Sequence, residues 1–180
     1  MNKYAGIGAR KTPHDVLTLM HHGAATLAQQ GYCLRSGGAP GADSAFEQGC
    51  DSQNGTKDIY LPWRKFNNSD SPLYIVSAAA IDIAKYVYGP RWQFLSNTTR
   101  QLMARNCYQI LGLQLNDPVD FVVCWTPDGC TSSATRSVRS GGTGQAIALA
   151  SDLGIPVYNL NTKVGMQEFV NIYLQLFIYE

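Results

Sequence analysis

Two glycine-rich turns, Ser36-Gly37-Gly38-Ala39-Pro40-Gly41-Ala42-Asp43 and Ser140-Gly141-Gly142-Thr143-Gly144-Gln145, each stand where an apolar strand-like run gives way to a helical pattern. A turn of this kind lets backbone N–H groups converge on one point, and the following helix adds the positive end of its dipole. One such turn is weak evidence for an anion site. Two in a chain of 180 residues point to a pocket that grips a phosphate-bearing ligand from two sides.

The elements around these turns alternate between strand and helix. Lys3 to Ile7 reads as a first strand, followed by a helix with Thr12 as N-cap, Pro13 at its first position and Gly31 closing it. Val16, Met20, Ala24, Leu27 and Ala28 supply its apolar spacing. Tyr32 to Arg35 is a second strand, Gly41 to Gly49 a helix, and Asp58 to Pro62 a third strand. The polar stretch from Arg64 to Pro72 reads as a mobile loop. Helices over Val76 to Tyr88 and Ser96 to Leu111 precede the clearest strand, Asp120 to Trp125, whose unbroken apolar character suits a central parallel strand covered on both faces. A long loop, Thr126 to Gly142, is of the kind that is functional or disordered. Helix Gly144 to Leu153, strand Ile155 to Leu160 and helix Met166 to Phe177 complete a single doubly wound α/β domain over residues 1–180, its sheet mainly parallel.

Composition narrows the partners. Hydrophobic residues make up 45% of the chain, enough for one full core and short for two. Fourteen basic residues against 13 acidic leave a net charge of +1, so nucleic acid is not the favoured partner. Five scattered cysteines without a CxxC pair suit a reducing cytoplasm. The N-terminus lacks the apolar run of a signal peptide, and no stretch reads as membrane-spanning. His14, His21 and His22 lack metal-ligand spacing, so no metal is expected. No nucleophile-elbow, P-loop or zinc-protease motif occurs, and Gly6-Ile7-Gly8 lacks the third glycine of a dinucleotide fingerprint, so no cofactor is expected.

In an open parallel sheet, ligands bind outside the carboxyl ends of the strands. Four loops fall there: Gly6 to Arg10, Ser36 to Asp43, Pro62-Trp63-Arg64, and Trp125 to Thr143. Gly6 and Gly8 serve a tight turn or a ligand, and Arg10 a phosphate or solvent. Gly37, Gly38 and Gly41 are read as approaching a ligand through backbone. Asp43 is open to a sugar hydroxyl contact or a plain helix-start role, whereas Glu47 is read as structural. Trp125 either stacks on a base or packs at the rim. Arg136 and Arg139 either clamp phosphates or stay solvated.

The ordered set of these motifs resembles a known superfamily. Gly6-x-Gly8-x-Arg10 followed by Ser36-Gly37-Gly38-x-x-Gly41-Ala42-Asp43-x-Ala45 resembles the start of the Rossmann-like core of DNA-processing protein A (Smf). Arg105-Asn106 before Ile110-Leu111-Gly112 is similar to that family's Arg-Asn motif, and Ser140 to Ala146 with Gly154-Ile155-Pro156-Val157 is similar to its closing unit. The wider group, SLOG, includes the LOG phosphoribohydrolases and nucleotide-sensing domains of defence proteins. The Cys-Trp-Thr-Pro-Asp-Gly run at Cys124 to Gly129 resembles small stand-alone members from bacteria and phages. LOG hydrolases carry PGGxGTxxE; Ser140 stands here at the proline and Ala148 at the glutamate.

The resemblance implies a Rossmann-like fold and a nucleotide or nucleotide-derived ligand, bound by a sensor or sequestering protein rather than turned over. Its phosphates would sit on Gly37, Gly38 and Gly41 and on Gly141, Gly142 and Thr143. Arg10, Arg105 and Arg139 would neutralise charge, and Trp125 or Asn106 would meet base or ribose. Ser36, Ala42, Asp43, Gly8, Thr126, Ser140 and Gly144 complete the candidate ligand-binding set. Two alternatives stand beside this reading: a nucleotide N-glycosidase using Asp43 or Glu47, and a recombination mediator on single-stranded DNA. A homo-oligomer is open too. Val76 to Leu111 and the last helix, with Phe169, Tyr173, Phe177 and Tyr179, offer either an interface or packing within one chain.

Overall fold

The computed structural model, which describes the backbone of residues 1–178 and the side chains of residues 1–175, alternates strand and helix in chain order. The elements are β1 (Lys3–Gly6), α1 (His14–Gln29), β2 (Cys33–Ser36), α2 (Ala42–Asp51), β3 (Lys57–Ile59), α3 (Ala78–Tyr88), α4 (Asn97–Leu111), β4 (Phe121–Cys124), α5 (Thr143–Asp152), β5 (Val157–Asn159) and α6 (Lys163–Ile178). Short 3-10 turns lie at Phe66–Asn68, Pro90–Phe94 and Val138–Ser140. The five strands pair in parallel in the order β3-β2-β1-β4-β5, with Tyr4 in register with Leu34 on one side and Phe121 on the other.

Strand periodicity divides the core into two layers. Tyr4, Phe121 and Val123 face a layer completed by Met20 and Leu27 of α1, Phe46 of α2 and Phe169 of α6. Ala5, Val122 and Cys124 face the other, completed by Ala84 of α3, Cys107 of α4 and Ile147 of α5. All four residues of β4 are buried, as its unbroken apolar run requires of a strand covered on both faces. This is the doubly wound Rossmann-like architecture, and its strand order reverses between β1 and β4.

Several local details depart from the sequence expectation. Thr12 does not cap α1: its hydroxyl donates to the Ala9 carbonyl at 2.7 Å, and the N-cap position falls on Pro13, whose ring carries no hydrogen-bond acceptor. The segment after β3, expected to be mobile, is a hydrogen-bonded loop. Asn67 Nδ2 donates to the Gly38 carbonyl at 2.9 Å, and Ser71 Oγ donates to the Ile59 carbonyl. Phe169 is buried inside the chain over Gly23, where a Cβ would collide with its ring, so intrachain packing accounts for it. Phe177 and Tyr179 lie outside the residues whose side chains are described. Cys33, Cys50, Cys107, Cys124 and Cys130 are all free and buried. Among the described residues no helix is long and apolar enough to cross a membrane.

Candidate functional site

A cleft of about 480 Å³ opens at the carboxyl ends of β1 and β4, where the strand order reverses. Gly8, Arg10, Asp43, Arg105, Asn106, Arg139, Ser140, Gly141, Gly142 and Thr143 line it. Ser36, Gly37, Gly38, Gly41, Ala42, Trp125, Thr126 and Gly144 are not part of this lining.

The turn that follows β2 is filled by the protein itself. Asp43, 4% exposed, points its carboxylate back into the turn and accepts from the Ala39 N–H at 3.3 Å, with the N–H groups of Gly8 and Gly37 also directed at it. Burial pushes this carboxyl up to about 6, against the pull of Arg105 and of those N–H groups. The glycines here answer to close packing of chain on chain. A Cβ on Gly41, whose φ is +88°, would lie 2.6 Å from the Arg10 carbonyl oxygen, and one on Gly8 would lie 2.6 Å from the Ala42 Cβ. Ser36 Oγ donates to the Gly6 carbonyl at 2.7 Å, locking β2 to β1 beneath the turn.

Helix α4 ties the two glycine turns together. Arg105, 5% exposed, donates to the carbonyls of Gly37 and Tyr60 and lies over the Phe66 ring at 5.6 Å. Its neighbour Asn106 accepts from Arg105 Nε through Oδ1 and donates through Nδ2 to the Gly142 carbonyl at 3.0 Å. The dipeptide therefore reaches the first turn with one side chain and the second with the other. Burial lowers the Arg105 pKa to about 10, with Asp43 opposing that shift and Arg10 adding to it.

The turn before α5 is built differently. Gly142 occupies the N-cap position, no side chain caps the helix, and Gly141, Gly142 and Thr143 line the cleft, with no carboxylate bonded to the helix start as Asp43 is at the first turn. Asp128 fixes this turn from behind by accepting from the hydroxyls of Ser137 and Ser140. Partial burial works against its charge, but those hydroxyls and Thr126 hold the carboxyl down at about 2. Ser140 in turn accepts from the Ser137 N–H, which closes a capping box around Val138–Ser140. Thr126 is buried and accepts from Asn159 Nδ2 and the Cys130 N–H. The long loop, read as functional or disordered, is thus pinned at both ends.

Charge at the cleft is one-sided. Arg10, Lys11, Arg105 and Arg139 line it against the single carboxylate of Asp43. Arg10, Lys11 and Arg139 are exposed and enter no ion pair among the described residues. Arg136 turns away, stacked on Tyr88 at 4.7 Å and donating to the Val87 carbonyl. Glu47 is bonded to Lys57 and does not line the cleft. Trp125 is buried, and its carbonyl accepts from the Ala9 N–H. Ala148 is buried within α5. Among the described residues no group of histidine, cysteine or acidic side chains has the arrangement of a metal site.

Sequence reasoning missed Lys11, Thr99, Met103 and Gln109 on the lining, and Asp128 behind it. Thr99, Met103 and Asn106 fall at helical spacing on α4, so the face of α4 that carries Asn106 was a usable signal. Asp128 lies in the Cys124 to Gly129 run singled out above, but the run by itself assigns it no role.

Neither a family model nor a curated protein sequence matches the chain. Among solved structures, DNA processing protein A from Helicobacter pylori, described for its single-stranded DNA binding mode, is 20% identical, covering 94% of this chain and 72% of that one with a TM-score of 0.54. A structural-genomics target, TM1055, is 20% identical over 87% of this chain and 72% of that one, with a TM-score of 0.49. The molybdenum cofactor carrier protein of Chlamydomonas reinhardtii is 19% identical over 69% of this chain and 77% of that one, with a TM-score of 0.38. The first likeness is one of fold. It agrees with the strand order in defining this chain as a Rossmann-like α/β protein.

Proposed function

We propose that the chain binds a nucleotide or nucleotide-derived small molecule in the cleft and acts as a sensor or sequestering protein in the cytoplasm. The observation that carries this reading is the uncapped start of α5 at Gly141-Gly142-Thr143, ringed by the unpaired cations Arg10, Lys11 and Arg139. Backbone dipoles and cations of one sign on one side of a cleft suit a phosphate. The first glycine turn suits it less, because Asp43 already occupies its N–H groups. The ligand's phosphate then sits on the second turn, with its base and ribose toward Met103, Leu102 and Asn106.

Asp43 favours a second reading. A carboxyl that titrates near 6 inside a nucleotide cleft suits an acid that protonates a leaving base, which would make the chain an N-glycosidase despite Ala148. Calorimetric titration against mononucleotides, ADP-ribose derivatives and cyclic nucleotides tests both, with each mixture then chromatographed. Binding with the ligand recovered intact, and weakened about tenfold in Arg139→Ala, is the expected outcome. A cleaved ligand, with cleavage abolished in Asp43→Asn, establishes the glycosidase. Binding of single-stranded DNA and of no small molecule removes both readings.

A further inference from the structure

The loop after β3 carries an aromatic and a cation that the cleft does not use. Trp63 is 39% exposed, whereas Trp92 and Trp125 are buried. Its indole meets the buried Phe66 ring edge to face at 5.2 Å and 88°, a contact that steadies the ring while leaving much of its surface in water. Arg64 beside it is exposed and unpaired among the described residues, whereas Lys65 is bonded to Asp70. The backbone that presents them is unusual. Lys65, Asn67 and Asn68 all take left-handed conformations, with φ of 60°, 49° and 60°. Asparagine tolerates that region, and lysine adopts it at a cost, so the loop is held in shape by its surroundings. Asn67 bonded to Gly38 and Ser71 bonded to Ile59 do the holding.

The loop is coupled to the cleft at two points. Phe66 carries Trp63 on one contact and the Arg105 guanidinium on another, at 5.6 Å, and Arg105 lines the cleft. Gly38, which accepts from Asn67, is followed by Ala39, which also lines the cleft. Trp63 therefore stands one aromatic ring beyond the cleft wall, on a fixed loop, with a free cation next to it. An exposed aromatic paired with a cation is how proteins hold an unpaired base and its phosphate.

We propose that Trp63 and Arg64 form a stacking subsite for a second base, beyond the Arg105 wall of the cleft. The inference rests on the cleft reading above and extends it: the preferred ligand is a dinucleotide unit, free or as part of a single strand.

Calorimetry of the full chain with each of the four 5′-mononucleotides and the matching 5′-phosphorylated homodinucleotides tests this. The expected result is a dinucleotide about tenfold tighter than its mononucleotide, with quenching of the exposed tryptophan. Trp63→Ala is expected to remove that advantage while leaving mononucleotide affinity within about twofold, and Trp63→Phe to keep most of it. A (dT)12 strand that binds as well as pTpT, with the same Trp63 dependence, identifies a nucleic-acid strand as the source. Exclusion of the strand with the dinucleotide bound identifies a free dinucleotide. A dinucleotide no tighter than its mononucleotide, or a Trp63→Ala variant that weakens both equally, overturns the subsite and leaves the cleft reading standing. No mononucleotide or dinucleotide binding overturns the cleft reading, and the subsite with it.

Discussion

A carboxylate buried among backbone N–H groups, as Asp43 is, feels two opposed effects. Burial disfavours its charge, while Arg105 and the N–H groups of Ala39, Gly8 and Gly37 favour it; burial wins, and the carboxyl titrates near 6. An unfolded aspartate titrates near about 3.9. Between the two values the folded chain keeps a proton that the unfolded chain has lost. Stability from this group is therefore full below about pH 4, falls as the pH rises toward 6, and is flat above, a span of up to about 3 kcal/mol. Asp128 acts in the other direction. Its folded value of about 2 makes its contribution present above about pH 4 and lost as the pH falls below that. The two windows do not overlap. Urea denaturation of the wild type and Asp43→Asn between pH 4 and pH 7 separates them. The stability of the wild type relative to the variant is expected to fall across pH 4–6, and a constant difference would show that Asp43 titrates as a solvated acid.

Two elements meet backbone to backbone where α1 crosses α2. A Cβ on Gly49 would collide with the His21 carbonyl oxygen and lie 2.9 Å from the Ala24 Cβ, and neither atom can swing aside as the end of a long side chain can. Gly49→Ala is therefore expected to cost about 2 kcal/mol despite the gain in helix propensity, a fall of roughly 4–8 °C in Tm. An unchanged Tm would mean that the helices slide apart freely. The loop before α5 calls for a different substitution. Asp128→Ala removes the acceptor shared by Ser137 and Ser140, and is expected to weaken nucleotide binding about tenfold while lowering Tm only a few degrees. Equal affinity in the variant would detach the latch from binding. These cases mark what the sequence could express. The apolar run of β4 and the glycines before α2 and α5 carry their meaning locally, so the elements and their order were legible. The partners of Arg105 and Asn106, the Gly37 and Gly142 carbonyls, lie 68 and 36 residues away and exist only once the sheet has set the turns side by side. Thr12 was misread because the Ala9 carbonyl competes for its hydroxyl, and a cap pattern does not record the competitor.

Over the whole molecule, the balance of 14 basic and 13 acidic residues conceals an uneven distribution. Away from the cleft, Lys3 and Arg35 are matched with Asp117, Lys57 with Glu47 and Asp51, and Lys65 with Asp70, while Arg64, Lys85, Arg91, Arg100, Arg136 and Lys163 enter no ion pair among the described residues. At the cleft, the unpaired Arg10, Lys11 and Arg139 stand together. Such a cluster suits a small anion gripped at one point, whereas a nucleic-acid strand needs cations along a groove. Salt reads the difference. A strand gripped at four phosphates loses affinity with a slope of about 0.7 per contact, close to three orders of magnitude over a tenfold rise in salt. A small ligand held by the dipoles of α5 and three exposed cations has no condensed counterions to release, and its short-range hydrogen bonds are little screened. Mononucleotide affinity is expected to fall less than about tenfold between 50 and 500 mM salt. Binding that collapses over this range, with (dT)12 far tighter than any mononucleotide at the low end, would instead make the cleft one stop along a longer nucleic-acid path.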